Sequence, residues 1–374
     1  MNYKEIFENW FNTFFSNSDY KIRMENTVES SPYHLEDNVW VHTQMVVSEY
    51  MNCVNNDEWT RQDFMGAIAA SFHDTGKPHT EEEFYDDKHG KWKKRYSNHE
   101  YYSGGLFIDF ALGCYEGNWI VRHYLTDDDI YNVWVMIAYH MPYQYNNDRL
   151  RKIKTHCYTN YILGTYYNFI QGDMLGRIYH NSIPVHKRQG KFAKFKRNMD
   201  SLDNCIFNLS ELAVDKNVML LCGVTGVGKT SIAKETMDMP DTSLIAYHSM
   251  DECRYQFYGY DNYEDNFKAS CEDSDFANRE YGEFTKKLKE NAFIIVDNTH
   301  ISFNRRKKYL QHSKKIDVYK SGILKVVSYH RNVKQCMNRT DKYIGQNVID
   351  RMYFAFQPIL TGEFDDIKVY MEYD

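Results

Sequence analysis

The chain has 374 residues, 43% of them hydrophobic and 26% charged, with a formal net charge of −7. This exceeds the roughly 100–200 residues of an ordinary domain, so two domains are expected. The acidic balance excludes a protein that coats nucleic acid through a strongly basic surface, though not an enzyme that grips a strand end, and no apolar run nears the roughly 18 residues of a membrane span.

From about residue 3 to 180 the apolar spacing is helical: Ile6, Trp10, Phe11 and Phe14; Val39, Val41, Met45, Val46 and Met51; Phe64, Ile68, Ala69 and Phe72; then the stretches 104–113, 127–140 and 156–179. An all-α first half is predicted. On it, in chain order, stand His42, the pair His73-Asp74 running into Thr75-Gly76-Lys77, then His99, His140 and Asp173. An adjacent His-Asp pair offers a metal two kinds of ligand, and Lys77 is placed to reach a substrate phosphate. His34 reads either as a further substrate contact or acid, or as an ordinary surface imidazole. Residues 182–200, polar and basic after Pro184, predict a connector. Its cations Lys187, Arg188, Lys191, Lys194, Lys196 and Arg197, like the later run Arg305, Arg306, Lys307 and Lys308, read as solvated surface or as local basic patches.

The order H…HD…H…H…D over about 34–177 resembles the HD superfamily of metal-dependent phosphohydrolases, whose ligands sit on separate helices of an α-bundle. The resemblance implies that His42, His73, Asp74 and Asp173 hold one metal and that His99 and His140 add a second or contact phosphate. A bound divalent ion brings its water towards a pKa of about 7, so phosphoester hydrolysis is implied. Imidazole ligands favour Mn²⁺, Ni²⁺ or Co²⁺.

After about residue 205 the pattern changes to short apolar runs at 217–222, 243–247, 293–297 and 323–328, separated by helical stretches. A parallel α/β sheet covered on both faces is predicted. Between the first run and a helix beginning near Thr230 lies Gly223-Val224-Thr225-Gly226-Val227-Gly228-Lys229-Thr230-Ser231, a G-x-x-x-x-G-K-[ST] phosphate loop. Backbone N–H groups there curl around phosphate, Lys229 faces the β- and γ-phosphates of ATP or another NTP, and Thr230 ligates Mg²⁺. After the second run, Asp251 can take a proton from an attacking hydroxyl and Arg254 can clamp an anionic acceptor. Asp297 ends the third run, and Arg339 lies in a stretch read as a lid before the helical segment 348–352.

This set, from about 217 to 358, resembles the 5′-OH polynucleotide kinases. The resemblance makes Asp251 the general base, Arg254 the clamp on the acceptor's 3′-phosphate and Arg339 a lid cation; Lys342 and Tyr343 stand where a second Arg is usual. Joined in this order, residues 1–200, with the basic connector at their end, and 201–374 resemble the bacterial and phage HD-domain polynucleotide kinases. That family removes 3′-phosphate or 2′,3′-cyclic phosphate ends, phosphorylates 5′-OH ends of RNA or DNA, and leaves sealing to a separate ligase. Two other readings stay open: a nucleotide phosphohydrolase fused to a small-molecule kinase, and a nucleic-acid sensor with one inactive site. The eight cysteines contain no C-x-x-C pair and no signal-like segment opens the sequence, so reduced thiols in a cytoplasm are expected, the host's if the source is a phage.

Overall fold

The computed structural model describes residues 1–29, 34–88, 90–180, 185–205, 216–238, 245–312 and 318–374. Two units divide the chain, Met1–Cys205 and Ile206–Asp374. Among the described residues no helix is long and apolar enough to cross a membrane.

Unit 1 runs α1 Tyr3–Thr13, α2 Asp19–Glu25, α3 Val39–Val54, α4 Arg61–Phe72, α5 Lys77–Thr80, β1 Glu81–Asp86, β2 Lys91–Tyr96, α6 His99–Leu112, α7 Trp119–Tyr124, α8 Asp127–Ala138, α9 Asn147–Thr159, α10 Leu163–Leu175 and α11 Val185–Ser201. Side-chain caps set several helix starts. Asn38 accepts from Val41 N, while Thr60 with Asp63 and Thr126 with Asp129 form capping boxes. Aromatic side chains fill much of the core, with Phe7, Trp10, Phe15, Phe64, Phe72 and Phe107 almost wholly buried.

Three expectations need correction here. The first half is not all-α, because β1 and β2 pair as an antiparallel ribbon from Glu81↔Tyr96 to Asp86↔Lys91. The ribbon is charged at most positions and joined by ion pairs such as Lys94–Glu81 and Arg95–Glu82, both 2.7 Å, so no apolar alternation betrays it. The stretch 156–179 is broken between α9 and α10 at Tyr161, whose φ of 58° lies outside helical space. The connector is also helical: α11 covers Val185–Ser201, with Pro184 outside the described residues. Phe195 and Met199 are buried there, an apolar stripe at helical spacing that the surrounding cations mask.

Glycines let the ligand-bearing helices approach. A Cβ on Gly172 would lie 3.0 Å from Tyr50 N, and one on Gly176 only 2.7 Å from Val46 N. The end of α10 therefore lies against the backbone of α3, which brings Asp173 beside His42.

Unit 2 runs β3 Lys216–Cys222, α12 Lys229–Met237, β4 Ile245–His248, α13 Met250–Tyr258, α14 Tyr263–Glu272, α15 Phe276–Glu290, β5 Phe293–Asp297, α16 Phe303–His312, β6 Val318–Val327, α17 Tyr329–Met337, α18 Gln346–Phe354 and β7 Asp366–Glu372. The strands form one parallel sheet in the order β4-β5-β3-β6-β7. The run expected at 243–247 appears as β4, with Ser243 and Leu244 outside the described residues. β6 begins at Val318 rather than 323, and the edge strand β7 was not expected: its alternation is short and half polar. Central β3 carries the phosphate loop at its C-terminal end, and the register Leu221↔Asp297 sets Asp297 beside it.

Candidate functional site

In unit 1 all six histidine and aspartate candidates are buried and converge. His42 comes from α3, His73 caps α4, Asp74 follows it, His99 opens α6, His140 lies just past α8 and Asp173 sits on α10. Each imidazole has its Nδ1 against a backbone carbonyl: His42 on Gly176 O at 2.9 Å, His73 on Ala70 O at 2.8 Å, His99 on Tyr96 O and His140 on Ile137 O, both at 2.7 Å. A carbonyl only accepts, so each Nδ1 carries the hydrogen and each neutral ring turns its Nε2 lone pair inward.

Those lone pairs meet one another. His42 Nε2 and His73 Nε2 are 3.3 Å apart, as are His99 Nε2 and His140 Nε2. Asp74 lies between the pairs, Oδ2 at 3.1 Å from His73 and 3.4 Å from His42, Oδ1 at 3.2 Å from His99 and 3.7 Å from His140. Asp173 Oδ1 is 3.3 Å from His42 Nε2 and 3.9 Å from His73 Nε2. Asp74 Oδ1 is buried without a hydrogen-bond donor. Facing acceptors at these distances repel unless a cation, proton or metal ion, stands between them. Two ligand groups, His42–His73–Asp74 and Asp74–His99–His140, are compact enough to hold one. The donor set therefore fits divalent metal, with Asp74 shared.

Burial disfavours the His42 cation, but hydrogen bonding to Asp173 and Glu36 and the charge of Asp74 outweigh it and lift its pKa to about 9. His140 goes the other way, down to about 3, through burial and the neighbouring His99 and His73.

Further cations and acids ring the cluster, Lys77, Glu29 and Glu36 buried and Arg177 and His34 half-buried. Lys77 is paired with Glu29 and lies 2.8 Å from Asp74 Oδ2. Arg177 Nη2 donates to both Asp173 oxygens at 2.7 and 2.6 Å. His34 Nδ1 sits 2.9 Å from Glu29 and 2.7 Å from Glu36. Sequence reasoning left Glu29, Glu36 and Arg177 without a role. The i,i+4 spacing from Asp173 could have exposed Arg177; nothing local marks Glu29.

In unit 2 the loop glycines Gly223, Gly226 and Gly228 take φ of 141°, 83° and 90°, which a side chain would resist. Gly226 packs so closely on α17 that a Cβ would lie 2.5 Å from Cys336 Sγ. Asn332 Nδ2 donates to Thr225 O at 2.7 Å. Val224 and Val227 are buried beneath the loop, and Ser231 lies in the first turn of α12. Lys229 Nζ folds back to donate to Val224 O at 2.8 Å. Burial lowers its pKa to about 8 against the pull of Asp297, with Lys342 and Arg339 adding to the drop. Thr230 Oγ1 donates to Asp297 Oδ2 at 2.6 Å, and Tyr247 OH to the same oxygen at 2.9 Å.

Asp251, in the first turn of α13, accepts from Arg254 Nη1 at 2.5 Å and from Lys342 Nζ at 2.7 Å. Burial would raise its pKa, but those two cations hold it below the usual value, so it is ionised. Arg254 lies over the Phe267 and Phe276 rings at 5.1 and 5.4 Å. Arg339 is tied to Asp341, two residues on, and Lys342 is the cation of this segment that reaches Asp251. A cleft of about 770 Å³, lined by Tyr255, Tyr263, Arg339, Lys342, Tyr343 and Gln346, opens there. Of the second basic run, Arg306 is structural: it is fully buried and pairs with Glu363 at 2.8 and 2.9 Å.

No curated protein matches this chain. Among solved structures it is similar to a gluconokinase from Sinorhizobium meliloti 1021, at 12% identity over 42% of this chain and 83% of that one with a TM-score of 0.31, a likeness too slight to bear on substrate. A family model described as an AAA domain matches residues 218–359. That span runs from β3 through the phosphate loop, Asp251 and Asp297 to the segment that carries Arg339 and Lys342, and over it unit 2 resembles an AAA domain built on a phosphate loop.

Proposed function

We propose that this chain heals broken nucleic-acid ends. Unit 1 acts as an HD-type metal-dependent phosphohydrolase on 3′-phosphate or 2′,3′-cyclic phosphate ends, and unit 2 phosphorylates 5′-OH ends with ATP or another NTP, leaving ends for a separate ligase. The observation that carries the reading is the Asp74 carboxylate set between two pairs of inward-facing imidazoles.

His42, His73, Asp74 and Asp173 would hold one divalent ion and Asp74, His99 and His140 a second. Bound there, Mn²⁺, Ni²⁺ or Co²⁺ supplies an acidified water and neutralises phosphate charge. The protein's own groups do the rest. Lys77, oriented by Glu29 and Asp74, binds the scissile phosphate, and Arg177, oriented by Asp173, adds a second cation. His34, held by its Nδ1 between two carboxylates, is a further contact for the substrate.

In unit 2, Lys229 exchanges Val224 O for the β- and γ-phosphates of ATP. Thr230 and Asp297, already hydrogen-bonded, are the residues for the accompanying Mg²⁺. Asp251 takes the proton of the 5′-hydroxyl once Lys342 withdraws, and Arg254, steadied by Phe267 and Phe276, clamps the adjoining acceptor phosphate. Arg339 is the lid's second cation.

One incubation tests this: full-length protein with an RNA bearing a 5′-OH and a 2′,3′-cyclic phosphate, ATP, Mg²⁺ and Mn²⁺ or Ni²⁺, with both ends analysed. A 5′-phosphate and a 3′-OH are expected. Turnover of free nucleotides with the RNA untouched would favour a nucleotidase joined to a small-molecule kinase. Binding without turnover would favour a sensor.

A further inference from the structure

The charge of unit 1 is segregated. By sequence, α9 and α11 carry ten Lys and Arg against two Asp, a balance of +8 in a chain whose net charge is −7, which leaves −15 on the rest. The two helices are neighbours: Lys154 Nζ on α9 donates to Asp200 O on α11 at 3.1 Å, and Asn198 Nδ2 to Asn147 Oδ1 at 3.5 Å. Asp200, the acid of α11, is taken up by Lys196 at 2.7 Å and by Tyr167 OH at 2.8 Å. Among the described residues Lys191, Lys194 and Arg197 on α11 have no carboxylate partner, and all three are exposed.

These three cations follow one another at i, i+3 and i+6, so they form a row along the helix about 9 Å long at 1.5 Å per residue. The row starts beside the His–Asp cluster. Lys191 Nζ lies 4.8 Å from the centre of the Tyr143 ring, and Tyr143 OH donates to Met174, the residue after Asp173. Lys191 is close enough to feel Arg177 and Asp173: partial desolvation and the Arg177 charge lower its pKa, against Asp173. Beneath the row, Phe195 packs on Tyr143 and Tyr167 and against Phe192, which fixes the helix in place.

A row of unpaired cations that begins beside the His–Asp cluster and leads away from it fits one kind of partner, a single strand that advances about 3.4 Å along its axis per phosphate when its bases stack. We infer that Lys191, Lys194 and Arg197 form a backbone track that carries the last two to four phosphates of a polynucleotide into the His–Asp cluster. The inference rests on the end-healing reading for its orientation, since the strand's 3′ end then lies at Lys191. It also reconciles an acidic protein with a polyanionic substrate, because the positive field is confined to the helix pair beside the site.

The test is fluorescence anisotropy with the full chain and a labelled single-stranded 12-mer RNA carrying a 5′-phosphate and a 3′-OH, titrated at several salt concentrations. Lys194→Glu/Arg197→Glu should weaken binding at least tenfold and flatten the log Kd against log salt slope by about 1.4, the share of two phosphate contacts on a single strand. Lys194→Arg/Arg197→Lys should bind as the wild type does, and a thermal melt separates misfolding from lost contact. Unchanged affinity and slope in the Glu variant, or no strand binding by the wild type, would overturn the track. Hydrolysis of a mononucleoside 2′,3′-cyclic phosphate, too short to reach Lys194, reports on the end-healing reading alone. If the wild type cleaves nothing yet the Glu variant loses the strand, the track stands and the end-healing reading fails.

Discussion

Both units bury charged side chains, but they do so in opposite ways. In unit 2 the buried charges are matched, although the far nitrogen of His248, Nδ1, is left without a partner: the Glu280 carboxylate accepts from Tyr309 and from Lys308 at 3.0 Å and meets His248 Nε2 at 2.8 Å, and Arg306 fills its fork with Glu363 and backbone carbonyls. In unit 1 four imidazoles, each with its Nδ1 hydrogen on a carbonyl, turn acceptors toward two aspartates. A matched cluster completes itself and stabilises the fold. An unmatched one is completed only by a cation from outside, and that marks a site.

The comparison breaks most decisively at Asp74. Asp74→Ala removes the carboxylate common to both ligand groups, so 3′-end hydrolysis should fall to background and bound divalent ion, measured by mass spectrometry of the dialysed protein, should drop from about two per chain to near zero. Retention of both ions would show that Asp74 does not join the two groups. Asp251→Ala should next lower kinase kcat by about 10²–10⁴-fold while leaving the KM for ATP nearly unchanged, because the base acts on the acceptor hydroxyl. A variant that instead loses ATP affinity would move Asp251 out of the acceptor site.

Glu280 tests the matched cluster. Burial opposes its ionisation, but hydrogen bonds from His248, Tyr309 and Lys308 prevail and hold its pKa near 2, below the usual 4.5. A depressed carboxylate contributes stability that is present above about pH 4.5 and is lost as the pH falls towards 2, about 3 kcal/mol in all. Melting of unit 2 followed over that range should show the loss in the wild type and not in Glu280→Gln, whose kinase turnover at pH 7 should change little. The smallest effect is expected at Gly176→Ala. The new Cβ, 2.7 Å from Val46 N, must push α10 from α3 at a cost of about 1–3 kcal/mol, with weaker metal binding as Asp173 moves from His42. Unchanged stability and metal affinity would mean that the helix contact does not set the ligand spacing.

Order along the chain made the two candidate sites legible, because the His and Asp candidates sit near the ends of regular helices and the phosphate loop at the end of a strand, where sequence patterns are sharp. What lies between was less so. The ribbon β1–β2 hides because cross-strand ion pairs rather than an apolar face hold it. The helix α11 hides because six cations outnumber its apolar stripe. Gly172 and Gly176 carry no local signal that they face the backbone of α3. Glu29 reaches Lys77 from 48 residues away, a contact that only the tertiary fold creates. The lid illustrates the same limit: Arg339 and Lys342 were equally visible, and only geometry assigns Lys342 to Asp251.

The central claim is that one chain holds two independent phosphoryl-transfer centres, and the most direct measurement reads both ends of one RNA. Wild type, His73→Ala/Asp74→Ala and Lys229→Ala would each be incubated with a 5′-OH, 2′,3′-cyclic-phosphate RNA, ATP, Mg²⁺ and Mn²⁺, after melts establish that each is folded. The wild type should process both ends. The His-Asp variant should lose hydrolysis and keep 5′ phosphorylation, since two metal ligands are gone from unit 1 only. Lys229→Ala should do the reverse, because the cation facing the β- and γ-phosphates is gone from unit 2 only. A folded variant of either kind that loses both activities equally would contradict the account and point to one composite site.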